Sequence, residues 1–119
     1  STLHINGSVA HRVNIFNAAN DPGATYTIAE SDYMLLINTR PTAEGGIDSA
    51  ITITLPGAAS APGRMVIVKD GAGYADVNSI TVQRQGSDTI DGIHTSVTIS
   101  SPSDFKRYIS DGVSSWYAI

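Results

Sequence analysis

The sequence predicts an all-β domain, a compact antiparallel β-sandwich or barrel of jelly-roll type. Three observations predict it. Short stretches alternate apolar and polar residues with a period of two, as half-buried strands do. Clusters of Gly, Pro, Asp, Asn and Ser punctuate them roughly every ten residues, as tight turns do. The composition agrees, with 41% apolar and 15% charged residues in a chain of 119. That is too apolar for a disordered chain and too poor in Lys and Glu for a coiled coil.

The elements follow in order. "VAHRVNIF" (9–16) and "TYTI" (25–28) are strand candidates. "YMLLI" (33–37) is apolar throughout, as in a central strand covered on both faces or covered in part by a neighbouring chain. "SAITITLPG" (49–57) sends Ile51, Ile53 and Leu55 to one face and Thr52 and Thr54 to the other, and Pro56-Gly57 stops it. "GAASA" (57–61) has room for one short helical turn before Pro62-Gly63, and it is the sole helix candidate. "MVIVK" (65–69) is the second continuously apolar stretch. "SITVQR" (79–84), "TSVTIS" (95–100), "FKRYIS" (105–110) and "WYAI" (116–119) complete the set. No unit of 20–50 residues recurs, which argues against a solenoid or propeller. The length fits one domain, residues 1–119. Its main body is 19–119, and residues 1–18 serve as a stem connector or as the first strand.

Several function classes fall away on composition. The net charge is −4 and the seven basic residues are scattered, Lys106-Arg107 being an adjacent pair, so a phosphate-binding surface is not expected. No run of 18 apolar residues exists, so no membrane-inserting helix is expected. There is no cysteine, so disulfides and thiolate zinc sites are excluded. The chain starts at Ser1 with no methionine or signal-like segment and reads as a fragment or a processed chain.

The histidines and carboxylates are the residues that could carry chemistry. His4, His11 and His94 are the three histidines, and none shares the i, i+2 or i, i+4 spacing that converges on a metal. Neither a nucleophile elbow nor a phosphate loop is present. "GSDTIDG" (86–92) is the sharpest stretch, because Asp88 and Asp91 invite a catalytic pair or a calcium loop. It looks like one unit of the glycine-aspartate nonapeptides of calcium-binding β-rolls, but those sites require tandem copies. It also lacks the ligand spacing of an EF-hand. The expected answer is a turn, with Ile90 tucked inward and Asp88 and Asp91 capping backbone on either side. Asp70-Gly71, Asp91-Gly92 and Asp111-Gly112 are the Asp-Gly pairs of a hairpin-rich chain. No catalytic residue, metal or cofactor is expected. Trp116 is read as a core or interface anchor, and Arg64 as a surface residue, a pin for a loop or a contact across to a neighbouring chain.

The ordered series "YTIAESDYMLLINT", "AITITLPGA", "PGRMVIVKDGAGYADVNSITV", "GSDTIDG" and "ISDGVSSWYAI" resembles a domain found near the ends of bacteriophage tail fibres and related receptor-binding proteins. The resemblance covers about residues 25–119. It implies a β-structured tip on a fibrous stem, a homotrimer, and a place in the virion after synthesis in the host cytoplasm. It implies attachment to a host cell-surface polysaccharide or cell-wall glycan and supplies no catalytic residues. The alternatives are a purely structural trimerisation module and a fragment of a glycan-depolymerising tailspike. The candidate receptor-facing residues lie in loops, where binding concentrates: Arg40, Thr42, Glu44, Asp48 and Tyr74.

Overall fold

A computed structural model describes residues 11–17, 25–47 and 49–119. Expectations that fall on His4, on Asp48 and on the first ten residues of the connector lie outside the described residues. Among the described residues ten strands are found: β1 (Val13–Asn17), β2 (Thr25–Thr27), β3 (Met34–Asn38), β4 (Ile51–Thr54), β5 (Met65–Asp70), β6 (Ile80–Gln83), β7 (Thr89–Ile90), β8 (Ser96–Ile99), β9 (Phe105–Ser110) and β10 (Ser115–Ala118). They form a six-stranded sheet in the order β1-β3-β5-β9-β10-β7 and a four-stranded sheet in the order β2-β4-β6-β8. The helical content of the described residues is two three-residue 3-10 turns, Thr42–Glu44 and Ala58–Ser60. The second occupies the "GAASA" stretch.

The period-two pattern places the core between the sheets. Leu35, Ile37, Val66, Val68 and Tyr108 point inward from the larger sheet, and Ile51, Ile53, Ile80, Val82 and Ile99 from the smaller one. All ten are 0–1% exposed. Each fully buried Ile or Val contributes about 1.5–3 kcal/mol relative to exposure, which locks the register, because a one-residue slip would turn the buried set outward.

The strand directions correct the antiparallel expectation. Five of the eight pairings are parallel: β1–β3, β3–β5, β2–β4, β4–β6 and β7–β10. The antiparallel ones are β5–β9, β9–β10 and β6–β8. Alternation in sequence reports which face is buried and is silent on the direction of the neighbour. Parallel strands need a crossover; for the first four of these pairs it is one strand in the opposite sheet, and for β7–β10 it runs through β8 in the opposite sheet and β9 in the same one.

The same winding gives the two-sheet domain a coiled start without a repeating unit. From β1 to β6 the chain runs in successive coils, alternating between the two sheets. Val13 lies opposite Met34 and Met34 opposite Ile67, while Thr25 lies opposite Thr52 and Ile51 opposite Ile80. Successive coils are therefore unequal in length, so no fixed period appears in the sequence. Strand β8 then runs against β6 and β9 against β5, while β10 turns back to the direction of β5.

The Asp-Gly pairs also separate by role. Asp111-Gly112 joins the antiparallel β9 and β10, a true hairpin. Asp70-Gly71 instead carries the chain from one sheet to the other. Asp91 (φ 54) and Gly92 (φ 78) both lie in the left-handed region, and Ile93 N–H donates to the Ile90 carbonyl at 3.3 Å. That is the geometry of a type I′ turn.

Candidate functional site

Parallel winding gives the larger sheet two unlike ends, one where β1, β3 and β5 begin and one where they finish. At the finishing end the buried Asp70 organises the loops. Its carboxylate accepts the Thr39 hydroxyl at 2.8 Å and the N–H groups of Ala72, Gly73, Ala75 and Ser103 at 3.2, 3.0, 3.0 and 2.9 Å. Burial pushes its pKa up, but the N–H donors of Ser103, Ala75 and Gly73 and the Thr39 hydroxyl outweigh this and hold it below its ordinary value. The Thr39 hydroxyl also accepts the Tyr74 N–H at 3.1 Å. The Asn78 amide donates to the Thr39 carbonyl at 3.1 Å and to the Ile47 carbonyl.

This network brings together two loops that the sequence reading named separately. Arg40 is exposed, and Thr42 and Glu44 are exposed on the 3-10 turn beside it. Tyr74 is half-buried in the facing loop. Asp48 lies outside the described residues. A cavity of about 210 Å³, lined by Ile15, Leu36, Asn38, Arg40 and Gly71, opens beside them. Sequence reasoning missed Thr39 and Asn78, which position the loops; a small polar residue at a strand end is the one signal they offer.

The starting end holds a larger cleft of about 480 Å³, lined by His11, Arg12, Glu30, Tyr33, Arg64 and Met65. His11 and Tyr33 stack with ring centroids 4.0 Å apart. Arg64 donates to the carbonyls of Ala29 and Asp32, so it pins the β2–β3 loop. The buried Asp32 in turn accepts the Tyr26 hydroxyl, the Asn14 amide at 3.2 Å and the Ala29 N–H at 2.9 Å.

The two aspartates of "GSDTIDG" point to different partners. Asp88 accepts the Ala58 N–H at 2.8 Å, and Asp91 accepts the Ala118 N–H at 2.9 Å. Ile90 between them is fully buried. Gly92 N–H donates to the Ser115 hydroxyl at 3.1 Å. Asp111 accepts the N–H groups of Val113, Ser114 and Ser115, and the Val113 and Ser115 donors chiefly lower its pKa. Gly112 (φ 75) packs so closely that an added Cβ would sit 2.7 Å from Pro62 Cβ. Trp116 is wholly buried and its indole N–H donates to the Pro56 carbonyl at 2.9 Å. His94 is exposed. Among the described residues no group of three His, Asp or Glu is placed to hold a metal ion, and no helix is long and apolar enough to cross a membrane.

The outward face of the six-stranded sheet is apolar. Val13 faces Met34, which faces Ile67; Ile15 faces Leu36, which faces Lys69 and then Phe105. Met65, Ile109 and Tyr117 extend it. Ile15 is 72% exposed, Val13 52%, Phe105 49% and Tyr117 42%. The charged members of these strands on this face are Lys69 and Arg107. Lys69 donates to the Ser103 carbonyl and sits 5.9 Å from the Phe105 ring centroid.

No protein-family model matches the chain, and no curated protein matches it.

Proposed function

We propose that this chain is the attachment module of a virion fibre, a homotrimer that presents rigid β-domains to a host cell-surface polysaccharide or cell-wall glycan. The reading is one of binding, not of catalysis. One observation carries it: the broad apolar outer face of the six-stranded sheet, which spans five strands and leaves Ile15 72% exposed. Monomeric proteins seldom leave so contiguous an apolar surface in water, and such a patch marks an interface. A head-to-tail ring covers such a face on every copy, and three is a small number that closes one. The fibre assignment itself rests on the sequence resemblance.

Assembly also gives the binding role a physical basis. The loops bearing Arg40, Thr42, Glu44 and Tyr74 offer shallow sites, and linking weak sites raises avidity by about 10²–10⁴. Light scattering coupled to size exclusion tests the assembly. The expected mass is about three times the 12.5 kDa chain, and a monomer at micromolar concentration overturns it. Titration with host cell-wall glycan and surface polysaccharide separates attachment from a purely structural trimerisation role.

A further inference from the structure

The outward face of the four-stranded sheet differs from that of its partner. Thr25 lies opposite Thr52, Thr52 opposite Thr81, and Thr81 opposite Thr98. Two residues along, Thr27 lies opposite Thr54, Thr54 opposite Gln83, and Gln83 opposite Ser96. Four unlike strand sequences thus converge on two parallel rows of four hydrogen-bonding side chains. Neighbours within a row stand about 4.8 Å apart and the rows about 6.7 Å apart, as strand geometry dictates. All eight are half-buried or exposed, and none is charged.

We propose that this face docks a neutral polysaccharide chain lying along the rows, across the strands. The proposal rests on the attachment reading above and names a second surface that serves it. Charge is the first argument. The chain carries 7 basic and 11 acidic residues, yet places none in these rows, although exposed faces ordinarily carry many charges. A face without charge complements a partner without charge. Hydrogen-bonding capacity is the second. Each Thr or Ser hydroxyl both donates and accepts, which matches the hydroxyls of a sugar in either orientation. Preorganisation is the third. Threonine is stiff at χ1, and the Gln83 amide is held by a 3.0 Å bond to the Thr54 hydroxyl, so little side-chain freedom remains to be lost on binding.

A rigid ice lattice is the rival occupant of a regular threonine array. Tetrahedral water with O···O near 2.75 Å repeats at about 4.5 Å and about 7.3 Å, close to the two spacings here. Strand twist decides against it. At the average twist of about 20–25° per strand pair, three pairings wind the face by about 60–75° about the direction of the rows. A crystal plane cannot follow that turn, whereas a chain with rotatable linkages can.

Affinity electrophoresis in native gels cast with mannan, dextran or soluble β-glucan tests this, with anionic alginate as the control. The chain is expected to be retarded by at least one neutral polymer, with little dependence on salt. Thr52→Val/Thr81→Val keeps shape and branching but removes two central hydroxyls. It should weaken retardation about tenfold at unchanged melting temperature, and Thr52→Ser/Thr81→Ser should restore it. If the double valine variant unfolds, Thr98→Val on the outermost strand carries the same comparison. Retardation that survives the valine variants but is lost in Arg40→Ala/Tyr74→Ala overturns this inference and leaves the attachment reading standing. Retardation by alginate alone, or adsorption to ice in place of neutral polymer, also overturns it. No retardation in any gel overturns this inference, and the attachment reading then stands or falls on the titration with host glycan.

Discussion

The indole of Trp116 and the carbonyl of Pro56 meet at 2.9 Å, joining the penultimate strand of the larger sheet to the end of β4 in the smaller one. Trp116→Phe would remove the donor, leave that carbonyl unpaired beside a small cavity, and cost about 2–3 kcal/mol. Urea unfolding followed by circular dichroism reads this as a lower midpoint at unchanged slope.

Asp70 ties β5 to the loops after β3 and β8. Asp70→Asn would replace a charged acceptor of five hydrogen bonds with an amide that cannot accept them all, at a cost of about 3 kcal/mol. The pH dependence follows from the sign of the shift. The folded pKa lies below the ordinary 3.8, so this stabilisation is complete above the unfolded value and is lost as pH falls through the folded one. Asp111, also lowered, acts in the same window. Acid unfolding below about pH 4 should therefore be shallower in the Asp70→Asn variant than in the parent.

The alkaline limb belongs to Tyr108. Burial pushes its hydroxyl up to about 12, and among the described residues it has no hydrogen-bond partner. A raised folded pKa gives stability that is whole below the unfolded value of 10.0 and disappears as pH approaches about 12. Melting temperature should be flat up to about pH 9 and fall beyond it, and Tyr108→Phe should flatten that fall.

Gly92, at φ 78, tests the "GSDTIDG" corner. Gly92→Val should cost more than the ~1 kcal/mol typical of point substitutions, through left-handed strain. Chelator should leave the parent's melting temperature unchanged. A fall of several degrees with chelator would restore the calcium reading.

The apolar outer face yields a variant that separates assembly from folding. Ile15→Lys places a charge on a side chain 72% exposed in the single chain, so the fold should tolerate it within about 0.5 kcal/mol. The mass in solution should drop to that of one chain. An intact trimer in Ile15→Lys would move the interface elsewhere.

Particular residues show how much was legible in the sequence. The inward set of Ile51, Ile53, Ile80 and Val82 is readable from alternation, as are the two-sheet packing and the short turn near Ala58. The apolar outer residues of "YMLLI" and "MVIVK" are readable as surplus. The direction of β3 beside β5 is not, because a strand's pattern is the same whichever way its neighbour runs. Asp70 reads as a turn former; its partners Thr39 and Ser103 lie 31 and 33 residues away, beyond any local signal. Arg40 and Tyr74 are visible as loop residues, whereas the shared Thr39 hub that unites their loops emerges only from packing. The Thr-x-Thr of β2 and of β4 is visible alone, but the alignment of the rows with Thr81, Gln83, Ser96 and Thr98 depends on register.

The position of β9 bears on how this chain can be made. It is ninth in sequence, yet it lies beside β5 in the interior of the larger sheet. During synthesis β1 to β6 leave the ribosome well before Phe105–Ser110, so β5 waits with an open edge and a row of unpaired backbone groups. Loop closure between such distant partners is slow, and an open apolar edge recruits other strands. Any truncation upstream of Phe105 leaves that edge permanently open, and the resulting fragment should aggregate, not fold as a smaller domain.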